Sequence, residues 1–458
     1  MKTKLLTILA VSLVSVVSLS GCKKSEVSDP DTLTIVTVGS DSERNIIQTF
    51  VNGYKAQPGN ADKKFKFTFV SNLDDYIYKT LIRKNGVLAD IIQVYDATCG
   101  YYANDGLLDG QGNSLYVPIS SYMARDGILE STIVDSSLKI TKCRVGSNDM
   151  YWVPRDYNKV VVAYNVEMFQ KAGIAKPSDN WTWSDFRDVC EQLKQHKADV
   201  TTKDVFYPVD MNINFTAVNY PTLKTFGVDL VNPTTKSCFG DDVEGAKNAW
   251  GKLLNMVVDG YAFPGQGITT QPFPSGQAAM MFIVRPDLPS YAASLGLNNI
   301  DFVSLPSFTT EDGLAADATS YIGMGATGYG MSVHCPQEKR EFAWDFLKYI
   351  ISIDGQNEFS KMGSGIPCLK ALLNDPNAEY TKYMSTSLNH HAFIAYPERD
   401  VFAAEYLDCL TAEKQSAVYK VVTDHALKDF LVAGSNKTYS IKDSYYATFK
   451  QLVEAYSK

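Results

Sequence analysis

Three runs rich in β-branched and aromatic residues, separated by two stretches of helical periodicity, open the polar part of the chain and limit what it can fold into. The first is Thr32–Val38, TLTIVTV; the second, Lys64–Val70, alternates as KFKFTFV; the third, Ala89–Tyr95, ADIIQVY, is apolar almost throughout. Between the first two, Ser42 or Asp41 can cap a helix whose Ile46, Ile47, Phe50, Val51 and Tyr54 recur on one face. Between the second and third, Tyr76, Ile77, Leu81 and Ile82 do the same for a helix near 74–84. Strand–helix–strand–helix–strand is the pattern of a parallel sheet in an α/β layer. An unbroken apolar third strand suits a sheet covered on both faces.

At 458 residues the chain has room for two or three domains. Its first residues decide where they work. Lys2 and Lys4 precede an apolar run, Leu5–Leu19, too short to span a bilayer comfortably, and the run ends in Leu19-Ser20-Gly21-Cys22. This is the pattern of a secretory signal, residues 1–21, and its ending resembles the bacterial lipobox, in which the cysteine is acylated and becomes the N-terminus. Residues 22–32 then read as the lipidated Cys22 and a polar tether, KKSEVSDPDT. The protein is therefore expected on the outer side of the cell membrane, held only by lipid, with acyl chains such as palmitate as the anchor. The formal charge of −8 becomes −10 once Lys2 and Lys4 leave, which argues against nucleic acid and against a broad electrostatic membrane contact. Seven cysteines remain after Cys22, none within a C-x-x-C motif; an odd number cannot all pair, and most are expected as small buried apolar groups.

Further on, a β-rich run covers Tyr151–Tyr164, a helix starts at Thr182 or Ser184, another spans Gly245–Val258, and buried strands fit Ala278–Val284 and Ile300–Pro306. Residues 321–333, YIGMGATGYGMSV, carry Gly323, Gly325 and Gly328 in G-x-G-x-x-G spacing. A dinucleotide fingerprint requires a helix directly after the glycines. Here a strand, Tyr329–Val333, follows, and the helix begins only near Gln337, so no nucleotide is expected. No H-E-x-x-H, G-x-S-x-G or P-loop motif occurs, and Ser136-Ser-Leu-Lys139 fits S-x-x-K without its companion motifs. His390-His391 lacks a carboxylate at ligand spacing, so neither a metal nor any cofactor is expected, and the chain reads as a non-enzyme.

Several segments resemble the bacterial extracellular solute-binding proteins of family 1, the sugar-binding group to which maltose-binding protein belongs. They are VPRDYNKVVVAYNVEMFQKAGIAKPSDNWTWSDFRDVCEQL (153–193), FPSGQAAMMF (273–282) and YGMSVHCPQEKREFAWDFLKYIISIDGQNEFSKMGSGIPC (329–368). The resemblance implies an α/β, two-lobed, periplasmic-binding-protein-like fold of type II, with a ligand cleft between lobes joined by crossing segments. It places the N-terminal lobe at 33–156 plus 329–365 and the C-terminal lobe at 163–325 plus 369–458, with crossings near 155–162, 329–334 and 363–369. It further implies a monomer that captures a solute, expected to be an oligosaccharide or glycoside, and passes it to the membrane permease subunits of an ABC importer. The alternative is a surface lipoprotein with glycan-hydrolase or adhesin activity.

In open α/β sheets ligands meet the carboxyl ends of strands. That rule nominates Ser40, Asp41, Glu43, Tyr95 and Asp96 in one lobe and Arg285 and Asp287 in the other. The resemblance adds Asp156 and Asn158 at the first crossing, Asn214 and Phe215 in MNINFT, and Tyr396 and Glu398 in IAYPERD. Gly325, approaching the second crossing, is expected to use φ > 0 and let backbone N–H groups reach the ligand. Arg285-Pro286 stands where many sugar binders carry Trp, which leaves an acidic or phosphorylated ligand open. If Cys22 carries the anchor, Cys22→Ala releases the protein from washed membranes, as fractionation and immunoblotting would read; retention in the membrane fraction sinks the lipoprotein reading.

Overall fold

The computed structural model describes residues 29–81, 86–104, 114–143, 148–265, 271–382, 388–425 and 427–458; the signal, Cys22 and most of the tether lie outside them. The opening pattern folds as its periodicity predicts. Strands β1 (Thr32–Val38), β2 (Lys64–Val70) and β3 (Ile91–Tyr95) alternate with helices α1 (Asp41–Ala56), α2 (Leu73–Leu81) and α3 (Asp96–Asn104), and β1 lies parallel to both other strands. Helix α1 is capped by Ser40 rather than by Asp41 or Ser42, its hydroxyl accepting the Glu43 N–H at 3.3 Å, and Ile46, Ile47, Phe50, Val51 and Tyr54 form its buried face. In β2 the lysines at 64 and 66 are exposed and the Phe residues at 65, 67 and 69 half-buried, as an edge strand requires.

The run from Tyr151 breaks into three short strands, β4 (Val153–Pro154), β5 (Asn158–Lys159) and β6 (Val161–Asn165). With β7 (Tyr207–Asp210), β8 (Ala278–Ile283) and β9 (Ile300–Ser304), β6 builds a second sheet in the order β7-β8-β6-β9. Every residue of β6, β8 and β9 is buried, because helices cover both faces. One of them, Trp183–Gln195, starts with a capping box between Thr182 and Asp185.

Two later strands, β10 (Ile322–Gly325) and β11 (Thr327–Met331), return the chain to the first sheet, whose order is β2-β1-β3-β11-β4. β10 pairs antiparallel with β5, and β11 with β4, so two crossings form one antiparallel ribbon from lobe to lobe. The third crossing is stitched to it where the Tyr157 N–H meets the Ile366 carbonyl at 3.0 Å. A last strand, β12 (Asp400–Phe402), lies parallel to β10 and completes a small hinge sheet, β12-β10-β5. After β12 the chain forms a helix, Ala412–Asp424, then short turns and a small hairpin, and ends in the helix Ser444–Ser457. The seven described cysteines are all free thiols, six of them buried.

The glycine-rich stretch is corrected in one respect. The glycines at 323, 325, 328 and 330 lie inside β10 and β11 rather than in a loop before a strand, and none has positive φ. Their role is close packing. A Cβ at Gly323 would fall on the Ala217 backbone, and one at Gly328 on the Val153 carbonyl and the Trp152 ring. Since those neighbours include backbone that cannot step aside, Gly328→Ala is expected to destabilise the protein by about 1–3 kcal/mol. Urea unfolding checks this; a variant as stable as the wild type would show that the ribbon has slack.

Candidate functional site

The first crossing is held by a buried guanidinium. Arg155 reaches both carboxylate oxygens of Glu43, at 2.8 Å for Nη2–Oε1, and its Nε donates to Asp156 Oδ2 at 3.1 Å. Glu43 is itself placed by Gln93, whose Nε2 donates at 2.9 Å while its Oε1 accepts the Val38 N–H at 2.8 Å. The Arg155 carbonyl accepts from Gln356 at 3.0 Å, and Asp156 Oδ1 accepts the Thr327 N–H at 2.8 Å. Burial raises the Asp156 pKa, with the Arg155 charge opposing. The network thus ties the first turn of α1, the middle of β3, two crossings and the helix Ile353–Ser360.

Beside it lies a cavity of about 230 Å³ lined from both lobes. Asp96 and Ala97 come from the start of α3, Asn158 from β5, and Gly323 to Thr327 from the second crossing. The opposite wall is Phe215, Thr216 and Ala217, with Val284 and Pro286 after β8, Phe402 at the end of β12 with Ala403 and Ala404 after it, and Tyr419 from the helix Ala412–Asp424. Two polar features stand out. Phe215 caps the helix Thr216–Thr225 without a side-chain hydrogen bond; its carbonyl takes the Val218 and Asn219 N–H groups, and those of Thr216 and Ala217 are donors that the helix itself does not satisfy. Asn158 Oδ1 is a buried acceptor with no hydrogen-bond partner among the described residues. Asp96 is the one charged side chain in the described lining.

Of the residues nominated from sequence, the fold brings Asp96, Asn158, Phe215 and Gly325 to this cavity. Tyr95 is partly exposed directly before Asp96, its phenol pKa raised by burial first and then by Glu43. Ser40 caps α1, Asp41 is exposed in its first turn, and Glu43 and Asp156 are spent on Arg155. Asn214 Oδ1 accepts the Lys428 N–H at 2.9 Å, away from the lining. Arg285 is the clearest correction. It is 0% exposed, its Nε donates to the Gly363 carbonyl at 2.9 Å and its Nη2 to the Tyr380 carbonyl at 2.9 Å, and it lies over the Phe393 ring. It braces the third crossing and offers the cavity no charge. Asp287, two residues on and half-buried, has its pKa raised by burial.

Tyr396 and Glu398 sit elsewhere. Tyr396 has φ 55°, and its carbonyl accepts from the buried Lys159 at 3.2 Å. Glu398 lines a separate groove with Tyr157 and His391. Tyr157 and Asn158 are consecutive residues of an extended crossing, so their side chains point to opposite faces, one to the groove and one to the cavity. Sequence reasoning missed Thr216, Phe402 and Tyr419. Thr216 followed Phe215 in a nominated segment, but nothing local marks a residue of a C-terminal helix as facing α3.

A family profile described as bacterial extracellular solute-binding protein matches residues 57–386. The whole fold is similar to the sugar-binding protein MalE of Xanthomonas citri, with TM-score 0.67 and 15% identity over 93% of this chain and 97% of that one. It is also similar to the GacH receptor of Streptomyces glaucescens, solved unliganded and with acarbose, at TM-score 0.64 and 17% identity over 93% and 99% of the two chains. A third similar structure is UgpB of Mycobacterium tuberculosis in complex with glycerophosphocholine, at TM-score 0.65 and 15% identity over 93% and 98%.

At the C-terminal end of β7, Asp210 is a carboxylate whose pKa burial pushes up to about 6, opposed only by the Asn212 N–H it accepts at 2.9 Å. A carboxylate raised in the folded state is disfavoured when ionised, so its cost is absent below the unfolded value of 3.8 and grows as pH rises to about 6. Asp210→Asn is therefore expected to stabilise the protein at pH 8 by about 2–3 kcal/mol, a gain that fades towards pH 4. Denaturant unfolding at the two pH values checks it, and a pH-independent difference would assign the effect to packing.

Proposed function

This chain belongs to the bacterial extracellular solute-binding proteins, and we propose that it captures a small neutral carbohydrate, an oligosaccharide or glycoside, between its lobes and delivers it to an ABC importer. The observation that carries the reading is the polar pattern of the cavity. The first residues of the helix Thr216–Thr225 and the acceptors of Asp96 and Asn158 share one lining with Phe215, Phe402 and Tyr419. A sugar hydroxyl both donates and accepts, and a sugar ring offers an apolar face to an aromatic side chain. Similar structures solved with acarbose and with cycloalternan support the choice of ligand class.

An anionic ligand fits less well. The sequence left a phosphorylated or acidic solute open on account of Arg285, but that guanidinium is enclosed by backbone carbonyls, and Arg155 is taken up by two carboxylates. No Lys, Arg or His is among the described lining residues, whereas a carboxylate is. Helix N-terminal donors alone remain for an anion, and Asp96 opposes it.

Delivery fits a lipid-anchored monomer tethered through Cys22 outside the membrane, with permease subunits as partners. Membership of a solute-binding family favours capture over hydrolysis, and a described lining with Asp96 as its one carboxylate fits that reading.

A ligand that binds only the folded chain adds about 2.7 kcal/mol of stability at a hundred times Kd. Each kcal/mol moves Tm by about 2–4 °C for domains of 150–250 residues. Neutral glycans that fit should therefore raise Tm by several degrees, while nucleotides, phosphorylated sugars and amino acids leave it unchanged. A shift with phosphorylated compounds alone would keep the fold and overturn the carbohydrate.

A further inference from the structure

The cavity and the hinge share one side chain. Asp96 lines the cavity, and its Oδ2 accepts the Ala326 N–H at 2.8 Å. Ala326 is the single residue between β10, in the hinge sheet, and β11, in the first lobe's sheet. The next N–H, that of Thr327, is held at 2.8 Å by Asp156, a carboxylate wholly buried against Arg155. Two consecutive donors of the interlobe joint are thus held by two carboxylates of different standing, one sealed inside the hinge and one facing the cavity. A Cβ at Gly325 would strike the Asp96 carboxylate, so glycine there keeps its place open. Asn158, with its unpartnered Oδ1, is the cross-strand neighbour of Gly325. The acceptors of the cavity therefore stand on the joint itself.

We propose that Asp96 is the positioning residue that couples occupancy of the cavity to the joint. A solute hydroxyl donating to Asp96 from the cavity side orients the carboxylate on the Ala326 N–H, and so sets the angle at which β10 passes into β11. Asp156 holds the neighbouring residue fixed as the pivot. This role rests on reading the cavity as the carbohydrate site.

Residue-resolved amide exchange at Ala326 and Thr327 tests it, on the full chain with maltose, trehalose or N-acetylglucosamine at saturating concentration, with Tm measured alongside. A sugar that raises Tm should slow exchange at Ala326 about tenfold more than at Thr327, the scale of one hydrogen bond. Asp96→Asn keeps an oxygen for the Ala326 N–H but turns an amide donor to the cavity. It should bind that sugar about tenfold more weakly and lose the selective slowing. Gly325→Ala, which displaces the carboxylate without altering its chemistry, should speed exchange at Ala326 in the ligand-free protein, and this holds the test open if Asp96→Asn fails to fold. A sugar that raises Tm but protects Ala326 equally in wild type and Asp96→Asn overturns the coupling and leaves the binding function standing. No Tm shift with any of the three overturns the carbohydrate reading and this inference with it.

Discussion

A guanidinium buried at the start of the first crossing must be neutralised where it lies, and much of this structure is arranged around that demand. Removing one partner of such a pair leaves an uncompensated charge and costs far more than the pair contributes. Arg155 is met by Glu43 from α1 and by Asp156 from its own crossing, and each of these carboxylates is in turn placed by something else. Glu43 depends on Gln93 of β3 and on a helix start that Ser40 caps; Asp156 depends on the Thr327 N–H. The first sheet, its first helix and the second crossing are thereby held in one register by hydrogen bonds of known direction.

The same arrangement explains why several residues at strand ends do not face a ligand. Carboxyl ends of strands gather at the cleft, but that is also where the crossings pass, and charged side chains there have two possible employers. Glu43, Asp156 and Arg285 serve the hinge, whereas Asp96 and Asn158 stand at the cavity. Another buried charge pair, Lys159 with Asp400, belongs to the hinge sheet, with the Tyr157 hydroxyl donating to the same carboxylate at 2.6 Å. Burial raises the Asp400 pKa and lowers that of Lys159, each shift opposed by the partner's charge.

The strands and helices were legible wherever one periodicity dominated. KFKFTFV folded as the strand over the residues it predicts, and the face of α1 is the set Ile46, Ile47, Phe50, Val51 and Tyr54 read from spacing. The run from Tyr151 gave its β character but not its division into three strands, because that division follows from where each piece finds a partner. The site was legible in part for the same reason. Phe215 and Asn158 were nominated by the family resemblance, but whether Arg285 points to the cleft or to the Gly363 carbonyl depends on a residue 78 positions away. Tyr419 reaches the cavity from a helix near the end of the chain, and no local pattern announces such a long-range contact.

A one-residue joint has a further consequence, for how chains like this can change length. Side chains in β10 and β11 alternate between faces, and the two strands are separated by Ala326 alone. Adding or removing a residue there would invert the phase of everything that follows, driving Tyr329 and Met331 onto the face where Gly328 and Gly330 meet Trp152 and Tyr116, and the glycines into the positions they leave. Surface loops elsewhere can lengthen at little thermodynamic cost. Here the spacing is as constrained as the composition, and variation in length would have to accumulate on the periphery of the lobes.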